Sequence, residues 1–129
     1  MKLPDHYQPI MPYIVAKGAD EFIEFLRAVF GAEERLMVRN PDGTVTHAEY
    51  SVNGGTLLIG DANDTWPPFP APLYLAVENV DELFDKGIAA GATGNMPPCD
   101  APYGRAAGFI DKWGNQWWLN SPAERTDIG

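Results

Sequence analysis

Tyr13–Phe22 reads YIVAKGADEF and Tyr74–Leu83 reads YLAVENVDEL. In both, an apolar run opened by tyrosine leads to Asp-Glu at the same internal spacing and then into a helical pattern. Further on, FGAEE around Gly31 answers AGATG around Gly91. Later still, Gly54-Gly55 with the run Thr56–Ile59 answers Gly114-Asn115 with Gln116–Leu119. Three landmarks recur in one order, about sixty residues apart, in a chain of 129 residues. That pattern describes a domain built from two similar modules, not a long solenoid.

The local patterns give each module its elements. Phe22, Phe25, Leu26, Val29 and Phe30 fall at helical spacing, Asp20 and Glu21 favour the helix start, and Gly31 stops the helix. The second helix repeats this logic, with the stripe Val80, Leu83, Phe84 and Ile88, the acidic start Asp81-Glu82, and Gly91 as the stop. Strands are expected at 10–16, 34–39, 44–52 and 56–60, then at 73–78, 93–96, 105–111 and 116–120, with turns at 40–43, 53–55 and 112–115. Each module is therefore β-α-β-β-β: the first spans about 7–62 and the second about 73–120. Residues 63–72 carry four prolines and read as a linker that bears Trp66 and Phe69, while 121–129 reads as a fraying tail.

Eighteen acidic against nine basic side chains give a net charge of −9, which argues against nucleic acid or an anionic membrane as partner. The same charge serves solubility, or draws a cation into an aromatic-lined groove. No run approaches the length of a membrane span and the opening MKLPDHYQP lacks the apolar stretch of a signal peptide, so a cytoplasmic protein is the expectation. The single cysteine, Cys99, cannot form an internal disulfide. With no base or helix start beside it in the sequence, it reads as incidental in a loop.

Four segments in register resemble the vicinal oxygen chelate superfamily (glyoxalase, bleomycin-resistance and dioxygenase proteins), and within it the PhnB-like branch. They are FIEFLRAVFGAEE, PDGTVTHAEYSVNGGTLLIGD, LYLAVENVDELFDKGIAAGA and YGRAAGFIDKWGNQWWL. The resemblance implies an α+β fold in which two β-α-β-β-β modules form a curved mixed sheet around a cleft, commonly in a homodimer. It also implies a divalent metal held by His, Glu or Gln from four strands, at positions that fall here near Met11, Ile59, Pro72 and Trp118. Neither these residues nor their immediate neighbours supply an imidazole or carboxylate. The expectation is therefore no metal cofactor, with a divalent metal on other ligands as the alternative.

Several residues are candidates for a site. His47 and Glu49 stand two apart on a strand, so both face one side, where they would serve as acid and base, as metal ligands, or as an exposed polar pair. Adjacent Trp117 and Trp118 must face opposite sides, and Trp118, at a vacated ligand position, is the one assigned to the cleft. Trp66, Phe69, Tyr74 and Phe109 would join it in lining a pocket. Tyr13 and Tyr74 are equivalent in the repeat and would add hydroxyls. Tyr103 precedes Arg105, which would anchor an anionic group or make a surface ion pair. The leading expectation is a metal-independent protein that binds a small, cationic, antibiotic-like molecule without changing it. The alternative is a lyase or isomerase of a small oxygenated metabolite that uses His47 and Glu49, with or without a metal.

Overall fold

The computed structural model describes residues 2–123. They form two compact units, Met1–Ala71 and Pro72–Gly129 as divided by their internal contacts, each taken by itself below. Among the described residues no helix is long and apolar enough to cross a membrane.

The first unit runs β1 (Tyr13–Ala16), α1 (Ala19–Phe30), β2 (Glu33–Arg39), β3 (Val45–Val52) and β4 (Gly55–Asp61). Its sheet has the order β1-β4-β3-β2, with β1 parallel to β4 and the other pairs antiparallel. α1 buries Phe22, Ile23, Phe25, Leu26 and Val29, one side of the helix, in a core with Ile14, Ala16, Ala48, Tyr50 and Ile59. It ends in a left-handed Gly31 at φ 64°, whose N–H bonds the Arg27 carbonyl while Ala32 N–H reaches Leu26. A side chain at that φ would be strained, so glycine is the fitting stop. Asp61 ties the unit together from the end of β4: one carboxylate oxygen accepts from Ala19 N at 2.8 Å, the other from Val45 N at 2.7 Å.

The second unit repeats this architecture with β5 (Pro72–Ala76), α2 (Val80–Ala89), β6 (Thr93–Ala101), β7 (Gly104–Ile110) and β8 (Gln116–Pro122) in the order β5-β8-β7-β6. β5 runs parallel to β8. The fold is the expected α+β class with two β-α-β-β-β modules, and each module carries its own mixed four-stranded sheet and one helix. Asp111 organises the β7–β8 turn: Oδ1 accepts from the backbone N–H groups of Trp113 and Asn115, and Oδ2 accepts from Trp117 Nε1 at 2.8 Å. Trp117 is thereby satisfied within the core, and Trp118 faces the opposite side at 41% exposure.

Four sequence expectations are corrected. β1 starts at Tyr13 and not at residue 10; Ile10 is 87% exposed. β6 continues through Pro97-Pro98 to Ala101, which puts Cys99 on a strand and not in a loop. Its prolines are tolerated because β6 is the sheet edge, where the register against β7 is irregular and an N–H on the outer side is not needed. The buried stripe of α2 is Val80, Leu83 and Gly87, and Ile88 is exposed. β8 runs on to Pro122, past the expected strand end, and residues 124–129 of the expected tail lie outside the described residues.

Candidate functional site

The alternation of the first sheet separates two faces. Ile14, Ala16, Ala48, Tyr50 and Ile59 turn into the core with α1. Tyr13 and Val15 of β1, Leu58 and Gly60 of β4, and His47 and Glu49 of β3 turn to the other face. Thr46 is an extra residue in the β2–β3 ladder, where Val38 faces His47 and Arg39 faces Val45.

Glu49 lies on that open face yet is only 1% exposed, so something must cover and neutralise it. The N-terminal segment does both. Thr56 donates its hydroxyl to the His6 carbonyl and its N–H to Gln8 Oε1 (2.6 Å), which pins residues 6–8 over the sheet. His6 Nε2 then donates to Glu49 Oε1 at 2.7 Å, and Tyr7 Oη donates to Oε2 at 2.5 Å. His47 Nε2 donates to the same Oε2 at 2.8 Å. Burial opposes ionisation of Glu49, but the hydrogen bonds from Tyr7, His47 and His6 outweigh it and hold its pKa down to about 2. The bond to this carboxylate, helped by burial and the negative charge, pushes the Tyr7 hydroxyl up. Both histidines of the chain therefore converge on one carboxylate.

Tyr13 extends the chain of bonds outward, with its Oη 3.2 Å from His47 Nδ1. It stands in the wall of a cavity of about 520 Å3 that is also lined by Val15, Val45, Thr46, Gly60 and Trp66. Partial burial raises the pKa of its hydroxyl. Trp66 is positioned by Asn63, whose side-chain oxygen accepts from the N–H groups of Thr65 and Trp66 at 2.9 and 2.8 Å. Residues 63–71 are more than a linker. They belong to the first unit, and Phe69 N–H bonds the Val15 carbonyl at 3.0 Å in an antiparallel bridge to β1.

The other sequence candidates separate by unit. Tyr74 and Trp118 are register partners on the exposed face of the second sheet. Phe109 is withdrawn as a ligand contact, because it is fully buried on the side of its sheet that faces α2, against Gly87 and beside Phe84. Arg105 is engaged at the surface: Nε and Nη2 donate to Asp81 at 3.0 and 2.8 Å and Nη1 to Asp100 at 3.2 Å, which raises its own pKa and lowers that of Asp81. The ion-pair reading of Arg105 is the one the geometry supports. Tyr103 is exposed in the turn before β7, and its carbonyl accepts from Ala123 N–H. Phe69 is exposed in the bridge to β1.

The sequence reading missed His6, Tyr7, Thr46 and Gly60. No periodicity marks the N-terminal segment; the only signal was that the chain has just two histidines. The donors also fail to fit the divalent metal the fold family implies. Ile59 points into the core, and its open-face neighbours Leu58 and Gly60 carry no donor atom. His47 and Glu49 spend their facing atoms on each other. Among the described residues no three or more His, Cys, Asp or Glu side chains are grouped to hold a metal ion.

The architecture has many relatives. TioX from Micromonospora sp. ML1 superposes with a TM-score of 0.75 at 23% identity, covering 91% of this chain and all of that one. TnmS3, an antibiotic binding protein from Streptomyces sp. CB03234, gives 0.70 at 22% identity, with 91% and 100% covered. In sequence, an uncharacterized protein of Mycobacterium tuberculosis strain H37Rv is 28% identical over 131 residues, 92% of this chain and 77% of that protein. The family model of the glyoxalase/bleomycin resistance protein/dioxygenase superfamily matches residues 4–119, nearly the whole chain, and the chain belongs to that superfamily.

Proposed function

We propose that this chain binds a small, cationic molecule without a metal and without changing it chemically, and that the cavity walled by Tyr13 and Trp66 is part of its binding site. One observation carries the reading. Glu49, the carboxylate best placed to act as a base, is buried and accepts from three side chains, while the cavity beside it sets Tyr13, Trp66 and apolar surface next to the polar Asn40, Thr46, Asp61 and Asn63. Buried and so bonded, Glu49 has little basicity for proton abstraction. Indole and phenol faces bind cations by stacking and quadrupole attraction, and a net charge of −9 favours their approach. TnmS3, which shares the fold, is an antibiotic binding protein, and that supports the class of function without naming the ligand. The exposed faces of Tyr74 and Trp118 fit the expected homodimer, which light scattering in solution would test.

The alternative, a lyase or isomerase that uses His47 and Glu49, draws on the approach of Tyr13 to His47. Elemental analysis of protein purified without chelator separates the two. The binding reading expects metal content near zero that stays there after incubation with Zn, Mn, Ni and Fe(II). A stoichiometric divalent ion would contradict it and move His47 and Glu49 to the head of the ligand candidates.

A further inference from the structure

We infer that the cavity of the first unit selects ligands that carry N–H donors, because a chain of hydrogen bonds from Glu49 turns the Tyr13 oxygen into an acceptor facing the ligand. The inference rests on the binding reading above and adds the polarity of the pocket. An ionised carboxylate only accepts, so His47 Nε2, 2.8 Å from Glu49, must carry a proton. In the neutral imidazole the other nitrogen, Nδ1, is then the acceptor. Tyr13 Oη, 3.2 Å from Nδ1, supplies the only proton that bond can use. Its hydrogen is committed to His47, and its lone pairs remain for the cavity.

A second acceptor stands beside it. A Cβ placed on Gly60 would lie 3.0 Å from Tyr13 Oη and 3.2 Å from the Thr46 carbonyl oxygen. With no side chain on Gly60, two oxygens border the same space in the cavity wall. Paired acceptors suit a primary or secondary ammonium, which presents two or more N–H groups. They give nothing to a quaternary ammonium, which carries charge without a donor, and they repel a carboxylate. Trp66 in the same wall supplies an aromatic face for the rest of the ligand. Glu49 and His47 act through Tyr13 as positioning residues.

The test uses the full chain and three probes of one shape: 2-phenylethylammonium, its N,N,N-trimethyl analogue, and phenylacetate. Affinities are read from amide shifts in two-dimensional NMR. The expected result is that the primary ammonium binds about tenfold tighter than the trimethyl analogue, the worth of one charge-assisted hydrogen bond. Tyr13→Phe should narrow that difference by weakening the primary ammonium and not the trimethyl analogue, because the Thr46 carbonyl remains; an unchanged difference would overturn the role of Tyr13. Equal binding of the two ammonium ions by the wild type would overturn the acceptor assignment and leave the cation-binding reading standing. Preference for phenylacetate would overturn both, as would no binding of any probe. A measurement without ligand guards against a variant that misfolds. The 15N shifts of His47 at pH 8 should show a protonated Nε2 and an unprotonated Nδ1; the reverse tautomer, or an imidazolium, would overturn the inference.

Discussion

Glu49 shows how one buried charge can be held by its surroundings. It sits on the sheet face away from the helix, where the sheet itself supplies His47, and the N-terminal segment brings the other two of its three donors. Its pKa is depressed from 4.5 to about 2. For a carboxyl depressed on folding, the stabilisation is fully present above the unfolded pKa and is lost as pH falls through the folded one. Ionised Glu49 should therefore contribute on the order of 3 kcal/mol at neutral pH, fading between about pH 4.5 and pH 2. Glu49→Gln should lower stability in urea at pH 7 by about 2–4 kcal/mol, with the gap from wild type closing in that acid window. Parallel stability–pH curves for the two proteins would show that the carboxylate is not held ionised by these bonds. A sequence reading could pair His47 with Glu49 from strand alternation, because both lie on one strand. It could not find His6 and Tyr7, which reach Glu49 across more than forty positions from a segment with no periodic pattern.

At the scale of elements, helices and most strands were legible because their signals are local: apolar spacing, an acidic first turn and a glycine stop. The failures were of two physical kinds. Pro97-Pro98 looks like a strand breaker, and only the sheet order reveals that β6 is an edge where proline is harmless. Ile88 looks like part of the core stripe of α2, but the stripe passes through Gly87, where the Phe109 ring comes so close that a Cβ would lie 2.4 Å from it. That contact also took Phe109 out of the candidate site. The consequence reverses the usual propensity rule. Alanine in a helix interior is favoured over glycine by about 1 kcal/mol, yet Gly87→Ala should destabilise the protein by about 1–3 kcal/mol through overpacking. Thermal unfolding would measure it, and a raised melting temperature would mean that Phe109 yields at no cost.

For the whole molecule, the repeat carried the fold further than it carried the site. Both units share the same strand order and the same parallel pairing of their outer and last strands, as the duplicated landmarks implied. Their open faces have diverged: the first carries the Tyr13–His47–Glu49 chain, while the second carries Tyr74 and Trp118. The family resemblance marks Met11, Ile59, Pro72 and Trp118 as the positions where ligands are expected, and the sequence itself shows that none of them is an imidazole or carboxylate. The cavity was not, since it depends on an extra residue at Thr46, a bare Gly60 and the return of residues 63–69 to β1. The most direct test of metal-independent binding is an NMR titration of chelator-treated protein with 2-phenylethylammonium. The account predicts saturable shifts concentrated at Val15, Thr46, Gly60 and the Trp66 indole, unchanged by excess chelator. Binding that appears only after a divalent metal is restored, or that leaves these residues unmoved, would contradict it.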